Sequence, residues 1–145
     1  MSRRTIVLAA LGAIVVVAVA GFVAMRFFMA APEGLDLARS KATVNGHYRI
    51  AIEPEAEPVR QGPLHSWIVT LTTPDGQPVA GAQVAVDGGM PQHGHGLPTR
   101  PQASEIGDGR YRVEGVRFNM GGWWVLKLAV EGSAGNDEAT FNIVL

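Results

Sequence analysis

From residue 44 to the end of the chain, apolar residues come in short runs that alternate with polar ones and stop at glycine or proline. This restricts the fold more than any other feature, because a period of two is the spacing of a half-buried strand. "HYRIAIEP" sets Tyr48, Ile50 and Ile52 against Arg49, Ala51 and Glu53, and Pro54 ends it. "LHSWIVTLTT" is rich in branched and aromatic residues and stops at "PDGQPVAG", a turn with Pro-Asp-Gly chemistry. "AQVAVDG" follows, then "ASEIGDGRYRVEGV" with Tyr111, Val113 and Val116 inward, then "WWVLKLAVEG" and "ATFNIVL" across a "SAGND" turn. About seven strands with turn signals roughly every 8–12 residues predict an all-β, immunoglobulin-like antiparallel β-sandwich over residues 44–145. No helix is expected after residue 43.

The N-terminus has a different texture. "TIVLAALGAIVVVAVAGFVAM", residues 5–25, carries no charge and lies between Arg3-Arg4 and Arg26. At about 1.5 Å per helical residue it spans a bilayer core of roughly 30 Å. The basic residues before it put residues 1–4 in the cytoplasm and the rest of the chain outside. A cleaved signal peptide has a shorter apolar region ending in small residues, whereas "MRFFMAAP" offers Phe28 or Met29 where a small residue is wanted. The expectation is therefore an uncleaved signal anchor, single-pass in the inner (cytoplasmic) membrane. Residues 26–43 form a linker and the C-terminal domain lies in the periplasm.

Composition closes off several functions. A formal charge of −1 with 17% charged residues gives no electrostatic footprint for nucleic acid. Ser66 is next to His65, but neighbours on a strand point to opposite faces and cannot form a nucleophile–base pair. The acids are scattered and the glycines punctuate hairpins, so no enzymatic activity is expected. The chain has no cysteine. An exported domain of this kind is held by its core alone, and a soft-metal site in it must use thioether and imidazole.

Those ligands gather in "GGMPQHGHGLP", residues 88–98. If the backbone there is extended, His93 and His95 project to one side, and Gly94 and Gly96 give their rings freedom to converge. Met90 precedes them across Pro91. Imidazole suits copper or zinc, and thioether selects copper, Cu(I) above all. His65 begins a strand on the core-facing phase, and Met120 sits in the break "FNMGG". Loops at one end of a sandwich cluster in space, so Met90, His93, His95, His65 and Met120 are the candidate metal ligands. Each also has a plainer reading: the loop histidines as solvated turn residues, His65 as a cap on the core, Met120 as a filler beneath the tryptophans. Trp123 and Trp124 point to opposite faces. Trp124 is in phase with Leu126, Leu128 and Val130, which leaves Trp123 outward.

The run "LHSWIVTLTTPDGQPVAGAQVAVDGGMPQHGHGLPT", followed by "GDGRYRVEGVRFNMGGWWVLKLAV", resembles the YtkA-like and FixH-like exported domains, over about residues 45 to 145. The resemblance implies a small, membrane-attached, immunoglobulin-like domain, similar in architecture to periplasmic copper carriers of the CopC type. It implies copper handling beside oxidase assembly, with Met90, His93 and His95 on a Met/His loop and Met120 on a Met-Gly-Gly turn. Gln92 stands where such relatives often add a methionine. The leading expectation is a copper-binding domain that passes Cu(I) or Cu(II) to a membrane-bound acceptor. The rival is an interaction module that docks on a membrane complex without metal, using the loop and Trp123.

Overall fold

The computed structural model describes residues 3–145, and the side chains of Thr5, Ile6, Ala9 and residues 26–29 are outside the description. The chain divides into two units, Met1–Ala30 and Ala31–Leu145. The first contains α1, Arg3–Met29. Among the described residues no helix is long and apolar enough to cross a membrane. The anchor expected over residues 5–25 includes Thr5, Ile6 and Ala9, whose side chains lie outside them.

The second unit is a sandwich of nine strands: β1 Ser40–Ala42, β2 Arg49–Pro54, β3 Leu64–Thr72, β4 Gln83–Met90, β5 His95–Gly96, β6 Gln102–Gly107, β7 Arg110–Arg117, β8 Trp123–Gly132 and β9 Gly135–Val144. They form two sheets, in the orders β1-β2-β3-β7-β6 and β5-β4-β8-β9. Every strand pair is antiparallel.

The expected inward phase holds on the long strands. Trp124, Leu126 and Leu128 of β8 are buried and face Ile143, Phe141 and Ala139 of β9, all buried too. Tyr48, Ile50, Ile52, Trp67, Val69 and Leu71 supply the other sheet's share of the core. On β7 the inward set steps from Tyr111 and Val113 to Val116. The extra residue is absorbed at Gly115, whose φ of 86° suits glycine. Every core residue lies between Tyr48 and Ile143, so Ala31–Leu145 carries its whole core.

Nine strands form where seven were expected, for local reasons. β1 falls inside the expected linker, because Ser40-Lys41-Ala42 has no apolar alternation to announce it. It is held from both sides. Ile52 N–H donates to the Arg39 carbonyl in the first sheet, and Val44 N–H donates to the Glu138 carbonyl on β9. This segment thus covers an edge that would otherwise be open to pairing. The β8–β9 turn is also shorter than "SAGND": Gly132 already faces Gly135.

Two tyrosine hydroxyls tie turns to the core. Tyr48 donates to the Gly135 carbonyl and accepts from Ala134 N–H. Tyr111 donates to the Val79 carbonyl and accepts from Ala82 N–H. Beside the first of these, at the end of the sandwich away from the histidine loop, the Asp137 carboxylate is buried. It accepts from the Thr43 hydroxyl at 2.6 Å and from the backbone N–H groups of Asn45, His47 and Glu138.

Candidate metal centre

β4 and β5 are the arms of a hairpin in which Gly89 faces Gly96 and Met90 faces His95. Residues 91–94 close it. The Met90 carbonyl accepts from His93 N–H at 3.1 Å and from Gly94 N–H at 3.0 Å. Pro91 presets the first turn position, and Gly94 takes a φ of 67°, which a side chain would resist. The Gly88-Gly89 pair has a separate role. A methyl group on Gly88 would collide with the Val125 carbonyl, and one on Gly89 with the His95 carbonyl. Absence of side chains there lets the hairpin close onto itself and onto β8.

Met90 lies in phase with Val84 and Val86, which face Val130 and Leu128 on β8. It therefore points inward and is 1% exposed. Its thioether belongs to the core beneath the hairpin, not to the open loop as the sequence suggests. His95, the cross-strand partner of Met90, shares that inward face. Its ring meets Trp124 edge to face at a centroid distance of 5.6 Å.

The protonation of His95 follows from its neighbour. Nδ1 lies 3.0 Å from the Gly96 carbonyl oxygen. A carbonyl only accepts, so the proton sits on Nδ1 and the lone pair on Nε2. Ligating histidines are commonly oriented in this way. His93 is exposed, and its ring centroid is 5.9 Å from that of His95. With a metal–nitrogen bond of about 2.0 Å and a centroid about 1.2 Å beyond it, two imidazoles on one ion lie no more than ~6.4 Å apart. The pair is within that reach. A shallow groove of about 410 Å³ runs past it, lined among others by Asp87, Pro91, Val125 and Lys127.

The rings continue inward. Trp124 packs edge to face on Phe118 at 5.3 Å, and Phe118 lies 5.9 Å from His65. Trp124 Nε1–H donates to the Met120 carbonyl at 3.0 Å, and the Met120 side chain is half-buried against the core. His65 Nε2 lies 2.8 Å from the Arg60 carbonyl oxygen and 3.4 Å from the Arg60 nitrogen, so the ring is held by the Arg60 backbone. Thus all five candidate ligands lie at one end of the sandwich, but they are not one cluster. Met90, His93 and His95 share a hairpin, and Met120 is joined to it through Trp124. His65 stands beyond two buried rings, bonded to backbone as a cap.

Sequence reasoning overlooked Phe118 and Trp124 as the floor of this end. The inward phase of Trp124 was visible, but its ring partners come from strands distant in the chain. Trp123 is outward and half-buried, with its indole N–H donating to Asn142 Oδ1 at 2.9 Å. Among the described residues no group of three or more His, Cys, Asp or Glu is placed to hold a metal. An ion held at the hairpin would have two imidazoles plus thioether or backbone to draw on.

The architecture defines a small two-sheet β-domain with a Met/His hairpin closing one end over a buried tryptophan. The family model described as YtkA-like matches residues 43–129, more than half of the chain, and the chain belongs to that family. The matched span includes the hairpin, Phe118 and Met120. The crystal structure of a DUF4426 family protein from Pseudomonas aeruginosa PAO1 is similar with a TM-score of 0.54 at 15% identity, covering 74% of this chain and 94% of that one. At that identity the likeness concerns the fold. No curated protein matches.

Proposed function

We propose that this chain is a membrane-anchored periplasmic domain that binds copper at the β4–β5 hairpin and passes it to a membrane-bound acceptor, with no catalytic step of its own. The observation that carries this reading is the His93–His95 pair: rings 5.9 Å apart, with the Nε2 lone pair of His95 set by the Gly96 carbonyl. His93 is the exposed member, where an incoming ligand first displaces a protein one. Met90 lies behind the pair as a soft donor, and Met120 and His65 are the outer candidates. Ligand exchange suits transfer because the ion is held by few protein groups at an open turn.

The test is a titration of Ala31–Leu145 with Cu(II), and with Cu(I) under reductant, against a competing chelator. One equivalent retained by the wild type and lost in the His93→Ala/His95→Ala variant is expected, with the sandwich still folded and its thermal midpoint lowered by no more than several degrees, the cost of the His95–Trp124 ring contact. Equal retention by both would remove the hairpin from the site. No retention by either would favour the docking-module reading.

The anchor is supported by the uncharged run over residues 5–25 and by the described side chains of α1. Val15, Val16 and Val17 are all exposed, although successive residues point about 100° apart, so this stretch has no polar face. In membranes washed with alkaline carbonate, the full chain is expected in the pellet and Ala31–Leu145 in the supernatant. Release of the full chain would exclude a spanning anchor.

A further inference from the structure

We infer that the hairpin-bearing end of the sandwich rests on an anionic bilayer surface through Arg60, Arg100, Arg117 and Leu64. Three observations converge on this patch. The first is unspent positive charge. Leu64 faces Arg117 across β3–β7, and His65 faces Val116. The backbone of Arg60 bonds the His65 ring. Arg100 immediately precedes Pro101, which lies against Gly115. The three arginines are exposed and make no ion pair among the described residues. Of the acids in this half, Glu55 and Glu114 share Arg112 and Glu57 pairs with Arg39, while Glu53 and Asp87 are exposed and make no ion pair among the described residues.

The second observation is apolar. Leu64 is 65% exposed opposite Arg117, next to the exposed Pro63. A bare leucine among unpaired arginines of one end suits an interface where aliphatic stems lie along acyl chains and guanidinium groups reach phosphate. An acidic protein face would satisfy the charges but leave the leucine without a role.

The third is where the chain enters. The Asp36 carbonyl accepts from Asn142 Nδ2, close to where Leu145 pairs with Gly122. The tether therefore reaches the sandwich at the same end as the arginines. The opposite end carries exposed Asp75, Asp108, Glu131 and Glu138 against Arg49 and Arg110, which disfavours the reverse orientation on a negative surface. The inference deepens the anchored reading, since it brings the copper hairpin to the bilayer surface, but its chemistry is tested without the anchor.

Ala31–Leu145 is sedimented with vesicles of phosphatidylcholine alone and with vesicles that also contain phosphatidylglycerol. At roughly fivefold per basic residue, partition into the anionic vesicles is expected to be on the order of 100-fold stronger, falling as salt is raised. The Arg60→Ala/Arg100→Ala/Arg117→Ala variant loses the difference, and the corresponding triple Lys variant keeps it. An Arg49→Ala/Arg110→Ala control also keeps it, and Leu64→Ser weakens partition into both vesicles alike. Equal partition into the two vesicles, or an undiminished alanine triple, overturns the inference. Absence of binding to either vesicle overturns it too. The alanine triple is expected to hold copper as the wild type does, so the lipid and copper results fail separately.

Discussion

Trp124→Ala is expected to destabilise Ala31–Leu145 by about 3–5 kcal/mol, the usual cost of emptying a buried aromatic site. Trp124 is fully buried, and its indole does three things at once. It fills the core opposite Ile143, donates to the Met120 carbonyl, and stands edge to face with both His95 and Phe118. Truncation leaves that carbonyl without its donor and both rings without a wall. In denaturant the midpoint falls while the slope is unchanged. Trp124→Phe restores most of the volume but not the hydrogen bond, so it recovers most of the stability. It leaves copper bound about tenfold more weakly, because the floor that orients His95 is altered. A Phe variant as weak in stability as the Ala variant would contradict the packing argument. One with wild-type copper affinity would separate Trp124 from the site.

At the other end, Asp137→Ala is expected to lower the thermal midpoint by more than about 10 °C. Burial by itself pushes this carboxyl up. It is outweighed by the donors that converge on it, the Thr43 hydroxyl and the backbone N–H groups of Asn45, Glu138 and His47, which together hold it well below the usual carboxylate range. These bonds pin the segment from Thr43 to Tyr48 onto β9. Because the folded-state pKa is depressed, the stability it contributes is fully present above the ordinary carboxylate value of about 3.9. It is lost as pH falls from there toward the folded value. Wild type should therefore unfold steeply in strong acid, and Asp137→Asn should show a flatter profile below about pH 4 with lower stability above it. Parallel acid titrations followed by circular dichroism measure both. Coincident profiles would show that the carboxylate contributes nothing through its charge.

The long strands were legible because their period of two survives in the sequence: Trp124 to Val130 alternates without a break, and Tyr48, Ile50 and Ile52 do the same. β1 was not legible, since three small or polar residues become a strand only through bonds to two other strands. Two-residue β5 exists only as the return arm of the hairpin. The step at Gly115 was anticipated in its outcome, Val116 inward, though only the backbone shows how glycine permits it. In the site, the His-Gly-His spacing was informative because both rings belong to one short turn. The burial of Met90 was implied by its phase with Val84 and Val86, but the prolines and glycines around it suggested an open loop. The separation of His65 from His95 had no local signal, because it depends on Phe118 being wedged between two sheets.

The double attachment of β1 also determines how the domain carries load. Stripping this segment from the sandwich, starting at Ala31, means breaking bonds to both sheets. Ile52 N–H on one flank and Val44 N–H on the other resist it together with the Asp36–Asn142 bond. Tension on the tether is thereby spread over both sheets before any hydrophobic residue of the interior is disturbed.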